Sequence, residues 1–211
     1  LLDIVFETVR TYDSDVFTKL RNGYFEDNDE QLIKYLIQYL DSTSIRVSDR
    51  SAYRTLEEAV KKVSEDERIA GIIVGKGTYD IGDYLEVASA MNIVGDPEVP
   101  KEQIEVLGGI SFEKGIQENC RLQNMTLRQA KNEGVWGESS FTMEDVVVEQ
   151  CGDNGVYAYG TGVVGRCTNV EVRQCEWSGV AAAGGASITL IGTKTTVHHN
   201  CTKGRSCDYG L

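Results

Sequence analysis

The sequence predicts an all-β solenoid of parallel strands, preceded by helices. Three observations carry that prediction. Apolar periodicity changes from the helical 3.6 to the strand period of 2 after about residue 69. The later sequence repeats itself every 21–26 residues. The repeats align three rows: an apolar strand residue, a cysteine or alanine, and a Gly-Val pair.

Residues 1–48 read as a helical N-terminal segment. In DEQLIKYLIQYLD, Leu32, Ile33, Leu36, Ile37 and Leu40 recur at helical spacing, with Asp29 placed to cap the start. An earlier helix would carry Val16, Phe17 and Leu20 and end at Asn22-Gly23. The second region spans 49–211 and opens with a helix over about 55–63. There TLEEAVKKV offers a capping box in Thr55 and Glu58 and an apolar stripe of Ala59, Val60 and Val63. IAGIIVGKGTYDI then reads as a strand, a glycine turn and a second short strand. MNIVGD (91–96) is a further strand ended by Gly95-Asp96. From there to the end only strands and turns are expected.

Four segments align: QNMTLRQAKNEGVW, MEDVVVEQCGDNGVY, TNVEVRQCEWSGVA and TTVHHNCTKG. Leu127, Val148, Val172 and Val197 match at separations of 21, 24 and 25; Ala130, Cys151, Cys175 and Cys201 match at 21, 24 and 26. The one-residue disagreement predicts a bulge in the last coil. Gly134-Val135, Gly155-Val156 and Gly179-Val180 form the third row, extended by Gly210-Leu211. A coil of this length cannot bury its apolar residues alone, so coils stack at about 4.8 Å and equivalent residues form ladders. Met125, Val146 and Val170 are expected inward, as are Leu127, Val148 and Val172. The cysteine row is expected to be a buried ladder and the glycine row a turn. About five or six coils are expected. A leucine-rich repeat shares the period, but its leucine and asparagine framework is absent.

Composition narrows the function. The chain has 211 residues, 22 glycines, two prolines and a formal net charge of −12. That charge disfavours nucleic acid and anionic membrane surfaces as partners. No stretch approaches the roughly 20 apolar residues of a membrane span. Six cysteines show neither CxxC nor metal spacing, and no metal site or cofactor is expected. The unpaired cysteine pattern and the lack of a signal-peptide layout favour a cytoplasmic location. The start without Met and the end in mid-pattern read as a piece of a longer or processed chain. An uncapped coil invites association, so a homo-oligomer is among the expected states.

Strand alternation singles out two outward rows. One is Arg128, Glu149 and Arg173, whose charges alternate between coils; a solvated ladder of this kind contributes a few tenths of a kcal/mol per pair. The other is Trp136, Tyr157 and Ala181, with Tyr159 two positions beyond Tyr157. Aromatic rings in a row can stack on the flat apolar faces of sugars or pack under neighbouring chain. The acids Glu144, Asp145, Glu149 and Asp153 and the bases Arg128, Lys131 and Arg173 form a mixed surface. Of His198-His199, alternation turns one ring inward.

The run TLEEAV…IAGIIVGKGTYDI…LEVASAMNIVGD resembles the opening of pectin-lyase-like right-handed parallel β-helix proteins. There a short helix covers the open end of the solenoid, and a Gly-Thr-Tyr turn precedes a strand ending in Val-Gly-Asp. The resemblance covers roughly 50–211 and makes residues 55–63 the cap, Gly77-Thr78-Tyr79 the turn and Val94-Gly95-Asp96 the strand end. The later repeats resemble carbohydrate-binding and sugar-hydrolase repeats. The resemblance implies a right-handed helix and a carbohydrate connection, without choosing an activity. The paired aspartates of pectin methylesterases and the NTD, Asp-Asp and GHG motifs of polygalacturonases are missing. The expected function is therefore a non-catalytic binding or structural module that recognises glycan or protein on its lateral face. Trp136, Tyr157, Tyr159, Arg128, Glu149 and Arg173 are its candidate contacts. The first alternative is a lyase or epimerase acting on acidic polysaccharide, for which calcium would be required. The second is an intracellular adaptor with β-helical repeats.

Overall fold

The computed structural model describes residues 44–49 and 51–203. The helices expected within 1–43, Cys207 and Gly210-Leu211 lie outside the described residues.

The strands in chain order are β1 (Ser44–Val47), β2 (Gly71–Val74), β3 (Gly77–Val87), β4 (Asn92–Gly95), β5 (Ile104–Phe112), β6 (Cys120–Arg128) and β7 (Val135–Gly137). They continue as β8 (Phe141–Glu149), β9 (Val156–Tyr159), β10 (Val164–Thr168), β11 (Glu171–Arg173), β12 (Val180–Ala183), β13 (Ser187–Ile191) and β14 (Thr196–His198). Each pairs in parallel with strands of neighbouring coils. One stack runs β1-β2-β4-β6-β8 and divides onto β10 and β11, which pair with β13 and β14. The other runs β3-β5-β7-β9-β12. The fold is an all-β parallel solenoid of about six turns.

The inward ladders are those the repeats define. Met125 pairs with Val146, and Leu127 with Val148, which pairs with Val172. These residues and Val170 are fully buried. Each such side chain contributes roughly 1.5–3 kcal/mol on burial. Phe112 and Phe141 stack at 5.6 Å to fill the interior where no aliphatic would reach.

Corners between strands repeat as well. Asn124, Asp145 and Asn169 occupy the left-handed region (φ 53, 52 and 53), as do Gln129, Gln150, Gln174 and His199 (φ 56, 58, 58 and 54). Asn and Asp tolerate this conformation through local hydrogen bonds. The Asn124 amide donates to the carbonyls of Asp96 and Val99 at 3.0 and 3.1 Å. In the last coil a second left-handed residue, Cys201 (φ 61), follows His199. The position against Gly179 is taken by Asn200, whose Nδ2 would lie 2.3 Å from an added Cβ, so the half-buried Cys201 leaves the cysteine row expected of it.

The cysteine and glycine rows interlock. Cys151 and Cys175 are fully buried, and Ala130 nearly so. A Cβ on Gly155 would lie 2.3 Å from Val172 Cγ1, 2.6 Å from the Gly179 carbonyl oxygen and 3.1 Å from Cys175 Sγ. Gly134 meets Val148, the Gly155 carbonyl and Cys151 in the same way. None of Gly134, Gly155 and Gly179 has a left-handed φ. The row is glycine because the next coil's valine and cysteine occupy its Cβ position, not because a turn demands it.

The helix α1 (Leu56–Glu65) starts at Thr55, whose hydroxyl accepts from the Glu58 N–H at 3.2 Å. The reciprocal half of the box falls on the Arg54 N–H instead of Thr55. Leu56, Ala59, Val60 and Val63 are buried, and α1 packs on β1, β2 and β3.

Three local expectations change. Ser44–Val47 is a strand paired with Gly71–Val74, so the solenoid begins before residue 49. The strand after the glycine turn is long: β3 runs eleven residues, with a register shift between Asp80 and Tyr84 around Gly82 (φ 70). Neither His198 nor His199 is buried; His199 sits in a left-handed corner, which breaks the alternation.

Candidate functional site

Register builds one outward column across the β3-β5-β7-β9-β12 stack: Glu86, Ser111, Trp136, Tyr157 and Ala181. Their flanking residues Leu85, Val87, Ile110, Phe112, Val135, Val156 and Ala158 are buried, so alternation turns this column toward the lateral face. Trp136 and Tyr157 meet at 5.0 Å between ring centroids, tilted by 47°. Tyr159 stacks on both, at 6.3 Å and 24° from Trp136 and at 6.5 Å and 26° from Tyr157. Tyr159 is 46% exposed, and Trp136 and Tyr157 are half-buried. The three rings thus form one continuous aromatic surface, as the sequence row anticipates.

A cleft of 320 Å³ adjoins Trp136, lined by Tyr84, Glu86, Ser111, Asn132, Glu113, Glu133 and Trp136 itself. The Tyr84 hydroxyl donates to Glu133 Oε2 at 2.5 Å and accepts from the Glu133 N–H at 3.1 Å. Burial and the Glu133 carboxylate both push the Tyr84 phenol up, so it stays a donor. Gly109 makes room for this ring: a Cβ there would lie 2.7 Å from the Tyr84 ring and 2.3 Å from the Glu133 carbonyl oxygen. Ser111 donates to Glu113 Oε1 at 2.8 Å. Burial, then the neighbouring Tyr159, Glu133 and Asp153, push the Tyr157 phenol up.

Tyr84, Glu86, Ser111, Glu113 and Glu133 are absent from the sequence-derived candidates. The signal exists: in YLEV and GISF, inward Leu85, Val87, Ile110 and Phe112 leave Tyr84, Glu86 and Ser111 outward. The repeat alignment begins with β6, and these coils precede it without a cysteine or a Gly-Val to anchor them.

Arg128, Glu149 and Arg173 come together on the other stack. Glu149 is only 5% exposed and bridges Arg128 Nη2 at 3.0 Å and Arg173 Nη2 at 2.6 Å. The chain of charges extends through Glu105 to Arg128 (2.7 Å) and from Arg173 through Glu171 (2.6 Å) to His198 (3.1 Å). This row is more deeply buried than the solvated ladder expected, and its charges pair with one another, while Arg128 Nε is buried without a hydrogen-bond partner. It is separated from the aromatic rows by the corner at Gln129, Gln150 and Gln174.

This network predicts acid sensitivity. Burial alone would raise the Glu171 carboxyl, but the His198 hydrogen bond and Arg173 outweigh it and hold it below the usual carboxylate range. Asp96 is lowered in the same sense by Arg46 and the Glu98 N–H, against burial. A depressed folded pKa means stability present above the ordinary values of 4.5 and 3.8 and lost as pH falls through the folded ones. Melting temperature is expected to fall below about pH 4.5, with a shallower fall in Glu171→Gln. Identical slopes for the two proteins would refute the assignment to Glu171.

Cys120, Cys151 and Cys167 have no place in a site. Burial pushes Cys120 up to about 11 and Cys167 to about 12. A hydrogen bond with Cys175, together with burial, pushes the Cys151 thiol up. These three are poor nucleophiles, whereas the Cys151 hydrogen bond lowers the Cys175 thiol against burial. Among the described residues, no group of three or more His, Cys, Asp or Glu is arranged to hold a metal ion. No described helix is long and apolar enough to cross a membrane.

No family model and no curated protein matches this chain. Two solved structures are similar to it. One is the catalytic domain of a GH87 alpha-1,3-glucanase variant in complex with tetrasaccharides. It shares 15% identity over 72% of this chain and 39% of that one, with a TM-score of 0.41. The other is a pectin methylesterase from Aspergillus niger, at 10% identity over 75% of this chain and 74% of that one, with a TM-score of 0.32. Both are parallel β-helix proteins. The solenoid fold rests on this chain's own strand pairing. This chain spans about two fifths of the glucanase chain. At these identities the likeness carries nothing about activity, and the site must be read from its own residues.

Proposed function

We propose that this chain is a β-solenoid binding module that recognises a glycan on its lateral face, across Trp136, Tyr157 and Tyr159 and the cleft beside Trp136. The single observation behind this reading is the aromatic surface. Three rings from two adjacent coils lie side by side on the outward column and stay partly open to solvent. Stacked aromatics present broad apolar faces with polar tips, the chemistry that suits a sugar ring's C–H face and hydroxyl rim. Ser111, Asn132 and the Glu86, Glu113 and Glu133 carboxylates supply hydrogen-bonding groups along the cleft. On this reading α1 covers the N-terminal end of a right-handed solenoid, the hand that parallel crossovers overwhelmingly adopt. The Arg128–Glu149–Arg173 row is then a structural strut and not a ligand contact.

The test is a glycan array followed by calorimetry on Trp136→Ala and Tyr157→Ala. Each is expected to weaken binding by about two- to twelvefold, as loss of one stacking face costs about 0.5–1.5 kcal/mol. Both variants should melt near the parent temperature, because neither ring belongs to the interior. Unchanged affinity in the double variant would remove the proposed site.

A further inference from the structure

Resting on the glycan-binding reading, we infer that the cleft selects sugars bearing free amino groups, such as oligomers of glucosamine, over uronic-acid polymers and over their N-acetylated counterparts. Two independent features of one cavity point there. The first is charge. Three of the seven lining side chains are carboxylates and none is a cation. The neighbouring Lys131 is paired with Asp83 at 2.5 Å. Glu133 and Glu113 each receive one hydroxyl donor, from Tyr84 and Ser111, and Glu86 is exposed in the outward column. A uronic-acid polymer would bring like charge into this cleft, on a chain that already carries −12.

The second feature is the wall. Trp136 lines the cleft and meets the Tyr157 and Tyr159 rings. Tryptophan faces attract ammonium groups, most strongly where water is partly excluded. A cavity lined by three carboxylates and an indole matches a protonated amine on an otherwise flat ring. The sugar's apolar face would lie on the aromatics while its ammonium reaches Glu86 or Glu113. N-acetylation removes that charge and keeps the ring, so it isolates the charge contribution.

The experiment measures affinity for a glucosamine hexamer, its fully N-acetylated counterpart, hexagalacturonate and hexalysine at low and moderate salt. The glucosamine hexamer is expected to bind about tenfold or more tighter than the acetylated one, with the margin shrinking as salt rises. In a Glu86→Gln/Glu113→Gln variant that melts like the parent, the preference should fall to about twofold. Hexagalacturonate should bind weakest. Equal binding of amine and acetylated oligomers, or preference for hexagalacturonate, overturns the inference while leaving the glycan reading intact. Binding of hexalysine as tight as the glucosamine hexamer, indifferent to Trp136→Ala, would assign the cleft to basic peptides and also overturn it. Failure of every oligosaccharide to bind would refute the glycan reading itself.

Discussion

Gly155→Ala is expected to cost about 3 kcal/mol or more, enough to leave much of the protein unfolded at moderate temperature. The added methyl has nowhere to go. It would sit 2.3 Å from a Val172 methyl and 2.6 Å from the Gly179 carbonyl oxygen, with Cys175 Sγ close behind. A side chain can turn away, but the carbonyl belongs to the next coil's backbone and accepts the Val156 N–H at 2.9 Å. Relief would have to break that bond or separate the coils, and the stack of coils is the fold. Urea denaturation of Gly155→Ala should therefore show a large drop in midpoint. Gly115→Ala is an apt comparison, since nothing lies within 4 Å of its Cβ position and only its left-handed φ of 97 resists the change. If Gly155→Ala proved no worse than Gly115→Ala, the interlocking of glycine and cysteine rows would be wrong.

Glu149→Gln is expected to cost about 2–3 kcal/mol. Removing one partner from a buried ionic group leaves uncompensated charge, and the loss is usually larger still. Here it is moderated because Arg128 and Arg173 keep 28% and 37% of their side chains exposed. The carboxylate itself is almost wholly covered, and without it the two guanidinium groups, on the coils either side of Glu149, lose the anion they share. A triple variant, Glu149→Leu with Arg128→Met and Arg173→Met, should recover part of the loss, since an apolar ladder avoids desolvating Glu149, while Glu105 and Glu171 each lose an arginine partner but remain more open to water. Denaturation midpoints of the single and triple variants decide the matter. A triple variant less stable than Glu149→Gln would mean the row stabilises through its charges in a way this account lacks.

The repeats made the later coils legible and left the earlier ones obscure. From β6 onward, matched valines and cysteines locate the inward ladders, and alternation then places Trp136, Tyr157, Arg128, Glu149 and Arg173 outward. In the coils of β3 and β5 no such markers occur. Gly109 and Ser111 are small, and β3 shifts register near Gly82. The cleft beside Trp136 therefore stayed hidden, although Glu86 sits in the same column as the aromatics. Alternation also failed at His198-His199, because it assumes extended backbone and His199 lies in a left-handed corner. Glycine was read as a turn marker in the Gly-Val row, where its role is close approach between coils.

What the sequence by itself determined is the class of fold, the period of its coils and the identity of the inward ladders. These follow from period-2 alternation and from repetition, which are properties of order along the chain. Only the tertiary structure decided that Glu149 is buried between two arginines, that the glycine row interlocks with the cysteine row, and that Tyr84, Glu86, Glu113 and Glu133 border one cleft with Trp136. The physical reason is distance in space. Residues 20 to 50 apart along the chain become neighbours only through the exact stacking of coils, and a one-residue slip of register would turn each of them to the opposite face.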